Sequence, residues 1–216
     1  MRFSGRKFRF KNAVYALDST IITLCAEVYD WAHYTHSKGA VKLHTLLNFS
    51  TLLPEYVHIT DGKAGDNTAA RHVQVKPGSI VVSDRGYFDT RLLNFWDSTK
   101  VFFVVRVKDN LIYERMEERD LPDNAHPEVL IDEIVILKGN GTARQYPRPI
   151  RRIAVYNARH DFTIELLTNN MKLSAGTIAG LYKARWDVEV FFRNLKQNFH
   201  IKSFVGTSSN AVEIQI

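Results

Sequence analysis

Short apolar runs separated by polar turns fill the first half of the chain, and this pattern gives way near the end to one long stretch of helical periodicity. The runs Val14 to Leu17, Val41 to Phe49, Tyr56 to Ile59, Ile80 to Val82 and Val101 to Val105 predict strands. Two short helices are expected among them, from Asn67 to Val73 and from Thr90 to Trp96, the second with Asp89 as its N-cap. Strands interleaved with helices define an α/β order. No internal repeat and no long linker interrupts it.

Residues 109–170 have a different texture. They open on an acidic patch (Glu114, Glu117, Glu118, Asp120, Asp123), pass a Gly-Asn-Gly turn at 139–141 and continue as strand-like segments, which reads as a β-rich insertion. Arg144, Arg148, Arg151 and Arg152 within it suit either a phosphate-facing edge or a solvated basic loop. The chain therefore divides into 1–108, 109–170 and 171–216.

From Ser174, an expected N-cap, Gly and Pro are almost absent until Gly206. Leu181, Val188, Phe191, Phe192 and Leu195 recur at helical spacing and predict one long amphipathic helix. Tyr182, Arg185, Glu189 and Lys196 fall within a sector of roughly 60° beside that apolar face, spread over roughly 20 Å of helix. An isolated Arg185–Glu189 pair four residues apart would mean little, since such surface pairs contribute only about 0.3–0.5 kcal/mol.

Composition narrows the class. The chain has 216 residues, 45% hydrophobic and 24% charged, with 11 Gly and 6 Pro, so collagen-like, low-complexity and wholly disordered chains are excluded. A net charge of +6 favours an anionic partner such as nucleic acid. Cys25 is the single cysteine and reads as a buried inert thiol, so no internal disulfide is possible. His33 and His36 find no third ligand nearby and are read as surface residues. No signal-peptide pattern and no membrane-length apolar run is present, so a soluble cytoplasmic protein is expected.

Two further carboxylates give the polar helix edge a chemical meaning. Asp18 follows the run Val14 to Leu17, and Asp84 follows Ile80-Val81-Val82-Ser83, so both are read as strand-terminal. In α/β sheets ligands gather at strand ends, and two such aspartates facing a helical glutamate would form an oxygen-only pocket suited to Mg²⁺ or Mn²⁺. Two such ions support phosphodiester cleavage. Asp66 and Asp89 are read as turn or capping residues, and Trp31, Trp96 and Trp186 as packing residues.

These residues resemble a known family, the DDE transposases of bacterial insertion sequences, and within it the insertion-sequence-four group with its Y-R-E-K signature. Here the signature reads Tyr182-x2-Arg185-x3-Glu189-x6-Lys196. Ala16-Leu17-Asp18-Ser19-Thr20 resembles the first acidic motif and Ser83-Asp84-Arg85-Gly86-Tyr87-Phe88-Asp89 the second, while the segment Lys38 to His44 is also similar to the family. The resemblance runs from about Val14 to the end.

It implies an RNase H-like mixed-sheet catalytic core with a β-rich insertion before the glutamate-bearing helix. It further implies Asp18, Asp84 and Glu189 as the metal-binding catalytic triad, with Tyr182, Arg185 and Lys196 contacting DNA. The activity implied is metal-dependent strand cleavage and strand transfer on double-stranded DNA, at transposon ends and target, by a homodimer in a synaptic complex. Only 17 residues precede Asp18 and 20 follow Lys196, fewer than is usual for the family, so a truncated copy or catalytic fragment is expected. The rival readings are a nonenzymatic DNA-binding remnant that inhibits transposition, and a metal-dependent nuclease without strand transfer.

Overall fold

A computed structural model of the chain describes residues 12–24, 29, 31–35, 38–107, 110–121, 127–158, 161–198 and 206–215, without the side chains of 33–35, 38, 187, 195, 196 and 198. Cys25 and His36, and the side chain of His33, lie outside the described residues. In chain order the elements are β1 (Val14–Leu24), β2 (His33–Thr35), β3 (Lys38–Asn48), β4 (Pro54–Asp61), α1 (Asp66–Ala70), β5 (Ile80–Ser83), a 3-10 turn (Arg85–Tyr87), α2 (Thr90–Ser98) and β6 (Phe102–Arg106). They continue with β7 (Tyr113–Glu118), β8 (Val129–Leu137), α3 (Thr142–Gln145), β9 (Ile150–Asn157), β10 (Phe162–Thr168), α4 (Ala175–Ala184), α5 (Trp186–Asn198) and α6 (Ser209–Gln215). Two compact units share them, and both are discontinuous in sequence. The first takes the described residues up to Tyr15 and Val75–Arg185; the second takes Ala16–Gln74 and the described residues from Trp186 onward.

The first unit holds a mixed sheet in the order β5-β6-β10-β9-β8-β7. β5 and β6 run parallel, from Ile80 opposite Phe102 to Ser83 opposite Val105. Their continuous apolar runs suit strands covered on both faces. The remaining pairings, β6–β10, β10–β9, β9–β8 and β8–β7, are antiparallel. Helix α2 buries Leu92, Leu93 and Trp96, and Asp89 caps it as expected by accepting from the Leu92 amide at 2.9 Å. Helix α4 packs on β5, β6, β8 and β9 through a face that includes Ile178 and Leu181, and Ser174 caps it by accepting from the Thr177 amide at 3.1 Å.

Within the basic segment Arg144 is exposed, whereas the arginines of β9 are buried in ion pairs. Arg151 is 1% exposed and makes two hydrogen bonds to Asp132, at 2.7 and 2.6 Å. Arg152 pairs with Glu133 at 2.7 Å and with Glu165 at 2.6 Å, and Arg148 pairs with Asp97 at 2.9 Å. Across the antiparallel ladders Arg152 stands directly opposite Glu133, while Arg151 reaches Asp132 and Arg152 reaches Glu165 two positions along the neighbouring strand, so tertiary pairing consumes charge that looks available in the sequence.

In the second unit β3 is the hub. β2 pairs antiparallel with its beginning, β4 pairs with it from Val41 opposite Asp61 to Leu47 opposite Pro54, and β1 is a further neighbour. One apolar cluster joins Ile22, Leu24, Tyr29, Ala32, Val41, Leu43 and Val212 of α6, with Trp31 and Ile59 packed against it. Another joins Ala16, Leu47, Val188 and Phe192, fixing α5 on the sheet by two residues four apart.

Three expectations need correction. Asp18 does not end a strand: β1 continues to Leu24 because the hydroxyl residues after Asp18 suit an extended chain, and Thr20, Ile22 and Leu24 are buried while Thr23 is exposed. The predicted single helix breaks at Arg185, whose amide bonds to the Tyr182 carbonyl three residues back at 3.2 Å in a tightened last turn. Trp186 is 50% exposed rather than packed in a core, whereas Trp96 is fully buried. Among the described residues no helix is long and apolar enough to cross a membrane.

Candidate active site

In the first unit the site is built on the parallel pair β5–β6. Ser83 and Val105 are the last residues in register, so Asp84 and Arg106 stand next to one another where these strands end. Asp84 starts the 3-10 turn, and its Oδ1 accepts from the Gly86 amide at 2.8 Å, which orients the carboxyl group. Tyr182 is buried on α4, and the guanidinium carbon of Arg185 lies 5.6 Å from the centre of its ring. Arg106 lies over Phe162, 5.4 Å from that ring.

The electrostatics join these groups. Burial pushes the Tyr182 phenol above the usual tyrosine range, partly offset by the charges of Arg185 and Arg106, while Asp84 pushes it further up. The phenol therefore keeps its proton at neutral pH and remains a hydrogen-bond donor. The unit thus gathers one carboxylate, two guanidiniums and a phenol: Asp84, Tyr182, Arg185 and Arg106.

In the second unit Asp18 sits in the interior of β1, half-buried, and its Oδ1 accepts from the Ser19 amide at 2.8 Å. Alternation puts Asp18 on the same face as Ala16, the face that Val188 and Phe192 of α5 cover. Glu189 follows Val188 on α5 and is half-buried. Lys196 lies on the same helix, and its side chain is outside the described residues.

Asp84 thus belongs to one unit and Asp18 and Glu189 to the other. Among the described residues no three Asp, Glu, His or Cys side chains gather as a group that would hold a metal ion. The donor chemistry nevertheless suits a hard cation: the Asp18 and Asp84 carboxylates are each oriented by a backbone amide, and the candidate set contains oxygen donors alone.

Two residues escape the sequence pattern. Arg106 looks like the polar end of an apolar strand, and only its place beside Asp84 across a parallel pair singles it out. Asp66 is not a cap: Gly65 holds the N-cap position of α1 without a side-chain bond. The Asp66 carboxylate instead accepts from Ser19 Oγ at 2.9 Å and faces Lys42 at 3.3 Å and the buried His44 at 3.6 Å.

Burial lowers the His44 pKa from its ordinary 6.5 to about 4; Asp66 opposes the shift, and Lys42 and His58 add to it. With the folded value below the unfolded one, this imidazole favours folding fully above pH 6.5, and its contribution is lost as the pH falls towards 4. Its size is roughly 3 kcal/mol. Denaturant titrations at pH 7 and 4.5 should therefore show a shallower loss of stability in His44→Gln than in the parent chain.

Comparison with known proteins identifies the family of the chain. The profile of the family described as Transposase DDE domain matches residues 9–216. The chain belongs to that DDE transposase family. It is 33% identical over 202 residues to a protein of Sinorhizobium fredii named as a transposase, covering 93% of this chain and 56% of the relative. It is 30% identical over 215 residues to a protein of Geobacillus stearothermophilus named as the transposase of an insertion sequence element, covering 100% of this chain and 56% of the relative. A Synechocystis protein named as an insertion-sequence transposase is 23% identical over 214 residues, with 94% of this chain and 56% of the relative covered. The chain spans about half the length of these relatives. The mixed α/β architecture with its large mixed sheet is consistent with an RNase H-like DDE transposase core.

Proposed function

We propose that this chain carries the catalytic part of a transposase that cleaves DNA strands at insertion-sequence ends with divalent metal and joins the freed end to target DNA. The observation that carries the reading is the grouping of Asp84, Arg106, Tyr182 and Arg185 at the end of the β5–β6 pair. A carboxylate beside two guanidiniums and a protonated phenol is what a phosphodiester and its counter-ion need in one place.

Asp18, Asp84 and Glu189 are the residues that would hold the metal, with Mg²⁺ the first choice and Mn²⁺ an alternative. When bound, such ions activate the attacking oxygen and stabilise the leaving one. The chain's own part is positional: Arg185 and Arg106 grip phosphate oxygens, Tyr182 donates from its phenol, and Lys196 adds a mobile charge farther along α5. The Y-R-E-K spacing supports placement in the insertion-sequence-four group. By the same resemblance the partners are transposon-end and target double-stranded DNA, the working form is a homodimer in a synaptic complex in the bacterial cytoplasm, and 109–170 is an insertion into the catalytic core.

DNA binding tests the clamp. Arg106→Ala, Arg185→Ala and Lys196→Ala should each reduce the slope of log affinity against log salt by about one unit while leaving the fold intact. Unchanged slopes in folded variants would remove these side chains from the DNA contact. Tight DNA binding by a chain that never cleaves in Mg²⁺ or Mn²⁺ would favour a nonenzymatic role.

A further inference from the structure

The face of β1 opposite Asp18 carries a network that the proposed reaction does not use. Side chains alternate along a strand, so Ser19 points away from the Asp18 side. Its hydroxyl donates to Asp66 Oδ1 at 2.9 Å. Lys42 Nζ lies 3.3 Å from that same oxygen and donates to the Ala64 carbonyl at 2.9 Å, and His44 Nδ1 lies 3.6 Å from it. His44 Nε2 is 3.1 Å from Thr60 Oγ1, which ties the network to β4. Three elements, β1, β3 and α1, thus meet on a single carboxylate oxygen.

Ser19 links this network to the candidate site. Its backbone amide donates to Asp18 Oδ1 at 2.8 Å while its side chain is held by Asp66. Fixing the Ser19 side chain fixes the backbone that carries the amide, and the amide aims the Asp18 carboxylate. A surface aspartate serving only a turn has no use for a lysine, a fully buried histidine and a serine drawn from two other elements.

We propose that Asp66, supported by Lys42 and His44, is a positioning residue that acts through Ser19 to hold Asp18 in its ligating orientation. This rests on the reading of Asp18 as a metal ligand. Groups that orient a ligand typically govern affinity by 10–100-fold without touching the ion, so loss of this one should weaken binding by about 10-fold.

The test uses the full chain and Mn²⁺ alone, with free Mn²⁺ counted by electron paramagnetic resonance in the parent, Asp18→Asn, Asp66→Asn and Ser19→Ala. Thermal midpoints and hydrogen exchange at residues 18–20 are measured on the same samples. The expected result is Mn²⁺ binding weakened about 10-fold in Asp66→Asn and Ser19→Ala, with faster exchange at the Ser19 amide and near-parental midpoints. A purely structural role would lower the midpoint and leave the affinity of the folded protein unchanged. Should Asp66→Asn fail to fold, Ser19→Ala removes only the link and decides alone. Weaker binding in Asp18→Asn with parental binding in the other two overturns the positioning role and leaves the ligand assignment standing. Parental binding in Asp18→Asn overturns the ligand assignment and the positioning role with it.

Discussion

Asp84→Asn is expected to lower metal-dependent nicking of DNA by roughly 1,000-fold, since metal-held charge stabilisation is a matter of several kcal/mol and each 1.36 kcal/mol is a factor of ten. The substitution is mild everywhere else. The asparagine oxygen can still accept from the Gly86 amide, a bond of 2.8 Å in the parent, so the turn after β5 should persist. Loss of one negative charge beside Arg106 and Arg185 should leave DNA binding without metal equal or slightly tighter. Single-turnover nicking of a labelled inverted-repeat duplex in Mg²⁺ or Mn²⁺, run beside a binding titration, separates the two effects. Glu189→Gln and Asp18→Asn should show the same divergence of cleavage from binding. Residual nicking at the parental rate in all three would remove the carboxylates from the chemistry.

What the sequence reveals of this site depends on how far each signal is local. The Asp84 turn, the Asp89 cap and the Ser174 cap are readable because an apolar run meets a residue whose side chain bonds to a backbone amide two or three positions on. Strands β5 and β6 are readable for a similar reason, as each is a short continuous apolar run. The full length of β1 is harder to see, because Asp18-Ser19-Thr20 looks like the polar end of a run whose alternating burial emerges only across Thr20, Ile22 and Leu24.

Pairing between distant residues leaves no local mark. Nothing near Arg151 in the chain announces Asp132, and nothing near Asp66 announces Ser19. Basic residues in a loop-like stretch therefore invite a phosphate-facing or solvated reading and acidic residues beside a turn a capping one, and Arg151, Arg152 and Asp66 depart from these on the same physical ground, a partner distant in sequence. The break at Arg185 is a further case: helical periodicity runs through it without Gly or Pro, and the i to i−3 bond that tightens the turn has no sequence signature.

The buried arginine on β9 should have the largest effect on stability. Arg151 is 1% exposed; beyond its two bonds to Asp132 it donates to the Asn170 carbonyl at 3.1 Å and the Leu173 carbonyl at 2.6 Å. It therefore holds the segment that leads into α4, the helix bearing Tyr182. Asp132→Leu leaves a buried guanidinium without its carboxylate and should cost about 3–5 kcal/mol, a fall of roughly 10 °C in melting temperature for a chain of this size. The double variant Asp132→Leu/Arg151→Met removes both charges and should recover much of that loss, because well-packed apolar groups often match a buried ion pair. Recovery should be incomplete at one place. Without the guanidinium the Asn170 and Leu173 carbonyls lose a donor, so hydrogen exchange at residues 174–177 should remain faster than in the parent even when the melting temperature returns. A double variant as unstable as Asp132→Leu would show that the arginine contributes mainly through those two carbonyls, whereas full recovery with parental exchange would show that α4 does not depend on it.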